Sequence, residues 1–182
     1  VYDTEHFLTT RTELSDFFKG KKQLLMESFY RNMRKKHNVL MDAEEPIGGK
    51  WNYDHENRKK MPEDTFVPPP KGFKKEVSDV VDMLEKEGVK TIGRVKAEEF
   101  VWPVTRQEGL ALLDFFLKEC LPYFGAYQDA MTTKGWSLFH SRISFAMNVK
   151  LISPQEVIQK TEEFWHQNQK IPLSAVEGFI RQ

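Results

Sequence analysis

The stretch that decides the reading is Phe139-His140-Ser141-Arg142-Ile143-Ser144-Phe145-Ala146-Met147-Asn148, with Leu151-Ile152-Ser153-Pro154 close behind. Two hydroxyls, Ser141 and Ser144, flank the permanent cation Arg142, and His140 stands just before them. Several donors can therefore face one anion within a single helical turn. A helix starting near Ser137 or Ser141 would add backbone N–H groups that lack internal partners, in a dipole field that favours negative charge. A pyrophosphate suits that field. The plainer reading of the same residues is a helix capped by its serines, with Ile143, Ala146 and Met147 turned to a core and Arg142 in solvent. Local chemistry leaves both open.

His140 to Pro154 resembles the flavin-phosphate motif of the photolyase and cryptochrome superfamily: a small residue, Thr-Ser-Arg-Leu-Ser, an apolar helix, Gly, and Leu-Ser-Pro. Ser141, Arg142 and Ser144 match by identity, and Ile143 stands for the Leu. Two positions depart from the pattern: His140 takes the place of the Thr, and Lys150 sits where a Gly is usual. Two more stretches are Gly48-Gly49-Lys50-Trp51-Asn52-Tyr53-Asp54 with Glu56-Asn57-Arg58, and Ala175-Val176-Glu177-Gly178-Phe179-Ile180-Arg181-Gln182. In that order the three resemble the bacterial deoxyribodipyrimidine photolyase-related branch, which joins cryptochromes with (6-4) photolyases that carry an iron-sulfur cluster.

The resemblance covers nearly the whole chain and implies a mainly α-helical internal fragment. Residues 1–70 would be the end of the antenna-side region and the interdomain connector, and residues 71–182 the N-terminal part of an FAD-binding helical domain, truncated at Gln182. FAD would be the cofactor, its phosphates held by Ser141, Arg142 and Ser144, with His140, Ile143, Tyr127 and Asn148 beside them. Glu177, Arg181 and Gln182 would point toward the flavin and lesion pocket; an exposed polar face is the alternative for these three. An iron-sulfur cluster and an antenna pigment would take their ligands from outside this chain. The full protein would be a lyase that flips a pyrimidine photoproduct, of (6-4) type, out of damaged DNA and repairs it by electron transfer from excited reduced FAD. One alternative is a cryptochrome-like photoreceptor without repair activity, and another is a helical interaction module in which Ser141 and Ser144 are only caps. The isolated fragment is expected to be inactive.

Composition bounds these readings. The chain has 182 residues, 40% hydrophobic and 13% aromatic, enough for a packed core. Its formal net charge is zero, so any basic surface that meets DNA has to be local. The one cysteine, Cys120, excludes an internal disulfide and cannot by itself hold a thiolate metal site. The five histidines are scattered, and no dinucleotide fingerprint, Walker loop or zinc-protease motif occurs. The sequence contains no membrane span, and the opening Val-Tyr-Asp-Thr-Glu-His does not read as a signal peptide, so a cytoplasmic setting is expected. The four tryptophans, Trp51, Trp102, Trp136 and Trp165, read as packing residues before electron relays.

Taken in order, residues 1–8 are an apolar and aromatic lead-in. Thr9 or Thr10 caps a helix to about Lys19, closed by Gly20, and a second helix over about Lys21 to His37 ends in Arg31, Arg34, Lys35 and Lys36. That cluster reads as a solvated C-terminus, with contact to DNA phosphates as the functional alternative. An ordered loop follows and ends in the stiff Pro68-Pro69-Pro70. Residues 73–87 predict an amphipathic helix with Val77, Val80, Val81 and Leu84 inside, stopped by Gly88. Thr105 with Glu108 forms a capping box for a helix expected to stop near Pro122. Ser153-Pro154 starts another helix, and Pro172 or Ser174 the last.

Overall fold

Side-chain caps set three of the helix starts. Thr10 accepts from the Glu13 N–H and the Glu13 carboxylate accepts from the Thr10 N–H, which opens α1 (Arg11–Phe18). Thr105 and Glu108 repeat the box at α4 (Arg106–Phe115), and Ser153 accepts from the Glu156 N–H ahead of Pro154 at α7 (Pro154–Gln167). The computed structural model describes residues 6–182 and is mainly α-helical, as the resemblance implies. Most of the lead-in, and the opening read against a signal peptide, lie outside the described residues.

The second helix, α2 (Met26–His37), closes on Asn38 in the left-handed region, with the Val39 N–H on the Arg34 carbonyl. Its basic end departs from expectation at Arg34. That guanidinium is buried and donates to the carbonyls of Val39 (3.1 Å), Leu40 (2.6 Å) and Trp51 (3.3 Å), so it is neither solvated nor available to phosphate. The left-handed backbone at Asn38 and Leu40 turns those carbonyls inward, and a planar donor fork satisfies them. Lys36, by contrast, pairs with Glu13, and Arg31 pairs with Glu27.

The expected stop at Pro122 does not occur. Beyond α4 the chain passes through one π-helical segment, Phe116–Cys120, straight into α5 (Leu121–Tyr127). A proline in an α-helix clashes with the carbonyl four residues back and removes a donor; that carbonyl belongs to Lys118, inside the widened π segment, where bonding skips a residue.

This long helix forms the core with α7 and α8 (Leu173–Arg181), around Leu112, Phe116, Leu121, Phe124, Phe139, Ile152 and Val176. Val39 and Leu40 belong to the same core. Helices α5 and α8 meet almost backbone to backbone, because a Cβ on Gly125 would stand 2.5 Å from Ala175 Cα. The connector wedges in beside them: short strands β1 (Met41–Asp42) and β2 (Glu45–Pro46), then single turns at Ile47–Gly49 and Asp54–Asn57. Buried Asn57 donates to the Ser174 carbonyl at 3.0 Å.

Residues 71–101 leave this core as an arm. Its two sides pair antiparallel: Lys75 and Phe100 exchange both N–H bonds, and the Val77 N–H reaches the Ala97 carbonyl. At the far end lies α3 (Ser78–Lys86), closed by Gly88 as expected, yet none of its residues is buried and Val80 is 45% exposed. The helix expected over 73–87 starts only at Ser78, because Lys75 and Val77 are taken up in pairing with the returning side, and none of the residues expected inside, Val80 among them, is buried. Lys75 also bonds Glu108, which ties the arm to the start of α4.

Two outcomes test this arrangement. Gly125→Ala should destabilise the chain by about 1–3 kcal/mol through overpacking, read as a lowered urea midpoint; an unchanged midpoint would show that the helices separate freely. The bond from Lys75 and the N–H groups of Val104 and Thr105 hold the Glu108 carboxyl near 2, against an ordinary 4.5. A depressed carboxylate stabilises fully above the unfolded value and loses that contribution as pH falls through the folded one. The stability gap between the wild type and Glu108→Gln should therefore be constant above pH 4.5 and shrink as pH drops to about 2.

Candidate functional site

The motif around Arg142 begins with a tight turn, His140 N–H to Ser137 carbonyl at 2.9 Å. Left-handed backbone at Leu138 and again at Arg142 prevents a helix from starting at Ser137 or Ser141. Helix α6 therefore runs only from Ser144 to Asn148, which leaves Ser141 in the loop and puts Ser144 at the first helical position. Ile143 and Ala146 are buried in the core as the plainer reading has it, and Met147 is half-buried.

The end of α6 explains the glycine position of the motif. The Leu151 N–H bonds the Ala146 carbonyl (2.9 Å) and the Lys150 N–H bonds the Met147 carbonyl (3.0 Å), a pattern that closes only if the intervening residue is left-handed. That residue is Lys150, with φ 66°.

Arg142 is not in solvent. Its guanidinium stands between the rings of Trp136 (4.5 Å) and Trp102 (5.2 Å) and donates to the Lys71 carbonyl at 2.9 Å. Its Nε is buried without a hydrogen-bond partner, and burial lowers its pKa from the usual value. Trp102 in turn stacks on Phe145 of α6 (5.5 Å), and Phe100 meets the same ring edge-on (6.0 Å). The cation thus locks the loop to the residue that follows Pro68-Pro69-Pro70 and to the returning side of the arm. Residues 71, 102, 136 and 142 are too far apart in the chain for any local pattern to announce this cage. Reading the tryptophans as packing residues came closest.

Among the described residues, neither the half-buried Ser141 nor the exposed Ser144 hydroxyl is hydrogen-bonded. Both are free to donate. Tyr127 lies half-buried against Phe139 (5.8 Å), beside this loop, while His140 is exposed with its ring 5.7 Å from Phe124. Asn148 is exposed at the end of α6.

Glu177, Arg181 and Gln182 lie on α8 and its end, and they are engaged internally. The fully buried Glu177 carboxylate accepts from the Tyr30 hydroxyl (2.8 Å), the Tyr53 N–H (3.0 Å) and Arg181 Nε (3.2 Å). Burial and the Glu177 charge push the Tyr30 hydroxyl pKa up, so it remains a donor. Arg181 also reaches Asp54 at 3.1 Å; burial opposes its charge, but Glu177 and Asp54 together hold its pKa above the usual value. Gln182 donates to the Gln128 side chain at 3.4 Å. Tyr30 and Tyr53 gave no functional signal in the sequence, since a carboxylate on one helix does not advertise donors more than 100 residues away.

Other chemistry is sparse. Cys120 is buried, its thiol pushed up to about 11 by burial and by the Glu119 charge. No group of three potential metal ligands occurs among the described residues, and no described helix is long and apolar enough to cross a membrane. A cavity of about 110 Å3 between α2, α7 and α8, lined by Tyr30, Met33, His37, Ile158, Glu162 and Ile180 among others, contains none of the residues of the Ser141–Arg142–Ser144 loop. It is small against the several hundred Å3 of a typical cofactor cleft.

These features sit in a chain that belongs to the deoxyribodipyrimidine photo-lyase-related protein family, which matches residues 1–101. More particularly, it is 39% identical to the (6-4) photolyase of Agrobacterium fabrum over 184 aligned residues, 100% of this chain and 36% of that protein. An uncharacterized protein of Acanthamoeba polyphaga mimivirus is 37% identical over 70 residues, 36% of each chain. The chain therefore spans 36% of the length of these relatives. The Ser141–Arg142–Ser144 loop lies beyond the family match and within the photolyase alignment.

Lys150 provides a test of the local geometry. A non-glycine residue in the left-handed region costs about 1–2 kcal/mol. Lys150→Gly should raise stability by about 1 kcal/mol, a thermal midpoint about 2–4 °C higher for a chain of this size. A lowered midpoint would mean that the turn is not left-handed there.

Proposed function

We propose that this chain forms part of a light-driven DNA repair photolyase acting on pyrimidine photoproducts of (6-4) type, and that it supplies the seat for the flavin phosphates. Residues 1–70 serve as the antenna-side end and interdomain connector, and residues 71–182 as the first part of the FAD-binding helical domain. The observation that carries the reading is the pair of unengaged hydroxyls, Ser141 and Ser144, on a loop held by the caged Arg142, in a chain aligned end to end with a (6-4) photolyase.

The donor set fits a diphosphate. Ser141 and Ser144 donate O–H groups, and the first N–H groups of α6 have no carbonyl partner earlier in the helix. Arg142 holds these donors in place and leaves its positive field beside them. Tyr127, His140, Ile143 and Asn148 border the loop as the secondary contacts. When bound, FAD would supply the photochemistry, an electron from its excited reduced form to the damaged pyrimidine pair. Glu177, itself buried, sets the direction of Arg181, and Arg181 with Gln182 is the part of α8 and its end that would face the lesion pocket.

The test is flavin content in the full-length protein. A hydrogen bond to a charged group contributes about 1.5–3 kcal/mol, so Ser141→Ala with Ser144→Ala should weaken FAD retention at least about 100-fold. It is measured by absorbance per protein after removal of free ligand. Full retention in that variant would refute the seat. The 182-residue chain alone should keep little or no flavin. A flavin-loaded wild type that fails to repair (6-4) photoproducts under blue light would make the protein a photoreceptor.

A further inference from the structure

The sequence carries no global positive charge, yet one short segment concentrates it. Gly88-Val89-Lys90-Thr91-Ile92-Gly93-Arg94-Val95-Lys96, at the far end of the 71–101 arm, holds three cations and no carboxylate, and every one of the nine residues is exposed. Lys90 and Arg94 make no ion pair among the described residues, and Lys96 reaches Glu99 only at 3.8 Å. Apolar side chains alternate with these charges and have no cover: Ile92 is 101% exposed and Val95 61%. Gly88 and Gly93 both take left-handed backbone, and Ile92 precedes the second of them.

We infer that residues 88–96 form a second contact for duplex DNA, one that reads the phosphate backbone and groove shape and not the lesion. Cations spaced two to four residues apart neutralise phosphates, and an isoleucine between them is a wedge that a groove or a loosened base step can bury. A membrane surface would need a broad apolar face, and one isoleucine with two valines is too little. The location strengthens the case. The arm's two sides are paired at Lys75 and Phe100, and its root meets the rest of the chain through Lys75 on Glu108 and through Phe100 and Trp102 against Phe145 and Arg142, so the loop projects from the segment that also contacts the Arg142 loop. The inference rests on the reading that the full-length protein acts on DNA, and it does not depend on the flavin seat.

The experiment uses the protein at its natural length and an undamaged duplex, with binding followed by fluorescence anisotropy from about 50 to about 200 mM salt. Replacing Lys90, Arg94 and Lys96 together by alanine should flatten the slope of log K against log salt by about 0.9 for each phosphate no longer neutralised, about 2–3 in all. Affinity should fall by at least about tenfold over that salt range. Ile92→Ser should lower affinity and leave the slope unchanged. Flavin content and turnover at saturating damaged DNA should stay at the wild-type level. An unchanged slope and affinity in the triple variant overturns the inference, as does loss of binding to phosphatidylserine vesicles with DNA binding intact. A wild type devoid of flavin whose triple variant still shows the flattened slope would refute the flavin seat and leave this DNA surface standing.

Discussion

A buried carboxylate is the constraint on which the rest of the architecture depends. Glu177 lies wholly inside the protein, and taking its charge out of water costs several kcal/mol unless partners replace the hydration. The partners come from three separate places: a hydroxyl from α2, a backbone N–H from the connector, and a guanidinium one turn along α8. None of the three can leave without stranding the charge. The angle at which α8 meets α2 and the connector is therefore set chemically, and the contact of Gly125 with Ala175 then places α5 by shape. Phe139 and the Ser141–Arg142–Ser144 loop that follows it rest on that helix pair, through Tyr123 and Tyr127.

Arg142 shows how one residue type can be required for two different reasons. In the sequence it reads as a cation offered to an anion. In the fold, it donates to the Lys71 carbonyl and lies against the rings of Trp102 and Trp136. What remains is direction and field: the loop is held with its serines free. A lysine would keep the charge but neither the flat faces nor the fork, so the position demands arginine on geometric grounds.

Much of the fold was legible where the determinant is local. Thr10 with Glu13, Thr105 with Glu108 and Ser153 with Pro154 each announce a helix start, because the cap and its partner lie within four residues. Lys150 departs from the motif's glycine, yet it keeps the left-handed backbone that closes the turn after α6. Legibility failed where distant atoms decide. Pro122 predicts a break, but the π segment before it removes the clash. Arg34 looks like one more surface cation until the carbonyls of Val39, Leu40 and Trp51 are turned toward it. The periodicity of α3 is real, and nothing among the described residues covers it. The candidate site divides the same way: Ser141, Arg142 and Ser144 could be named from the motif, whereas the tryptophan cage could not.

The arm has a thermodynamic consequence. Its helix buries no residue, its ladder bonds join only its own two sides, and it is held to the core by one ion pair and a stack of rings. The free energy that holds it closed is therefore a small part of the whole. The arm should open and close many times for each global unfolding, as a separate cooperative unit whose amide protons exchange early. Residues 71 and 102 lie at the boundary of that unit, where Arg142 grips both. The cage is thus also the border between a part of the molecule that breathes and a part that does not.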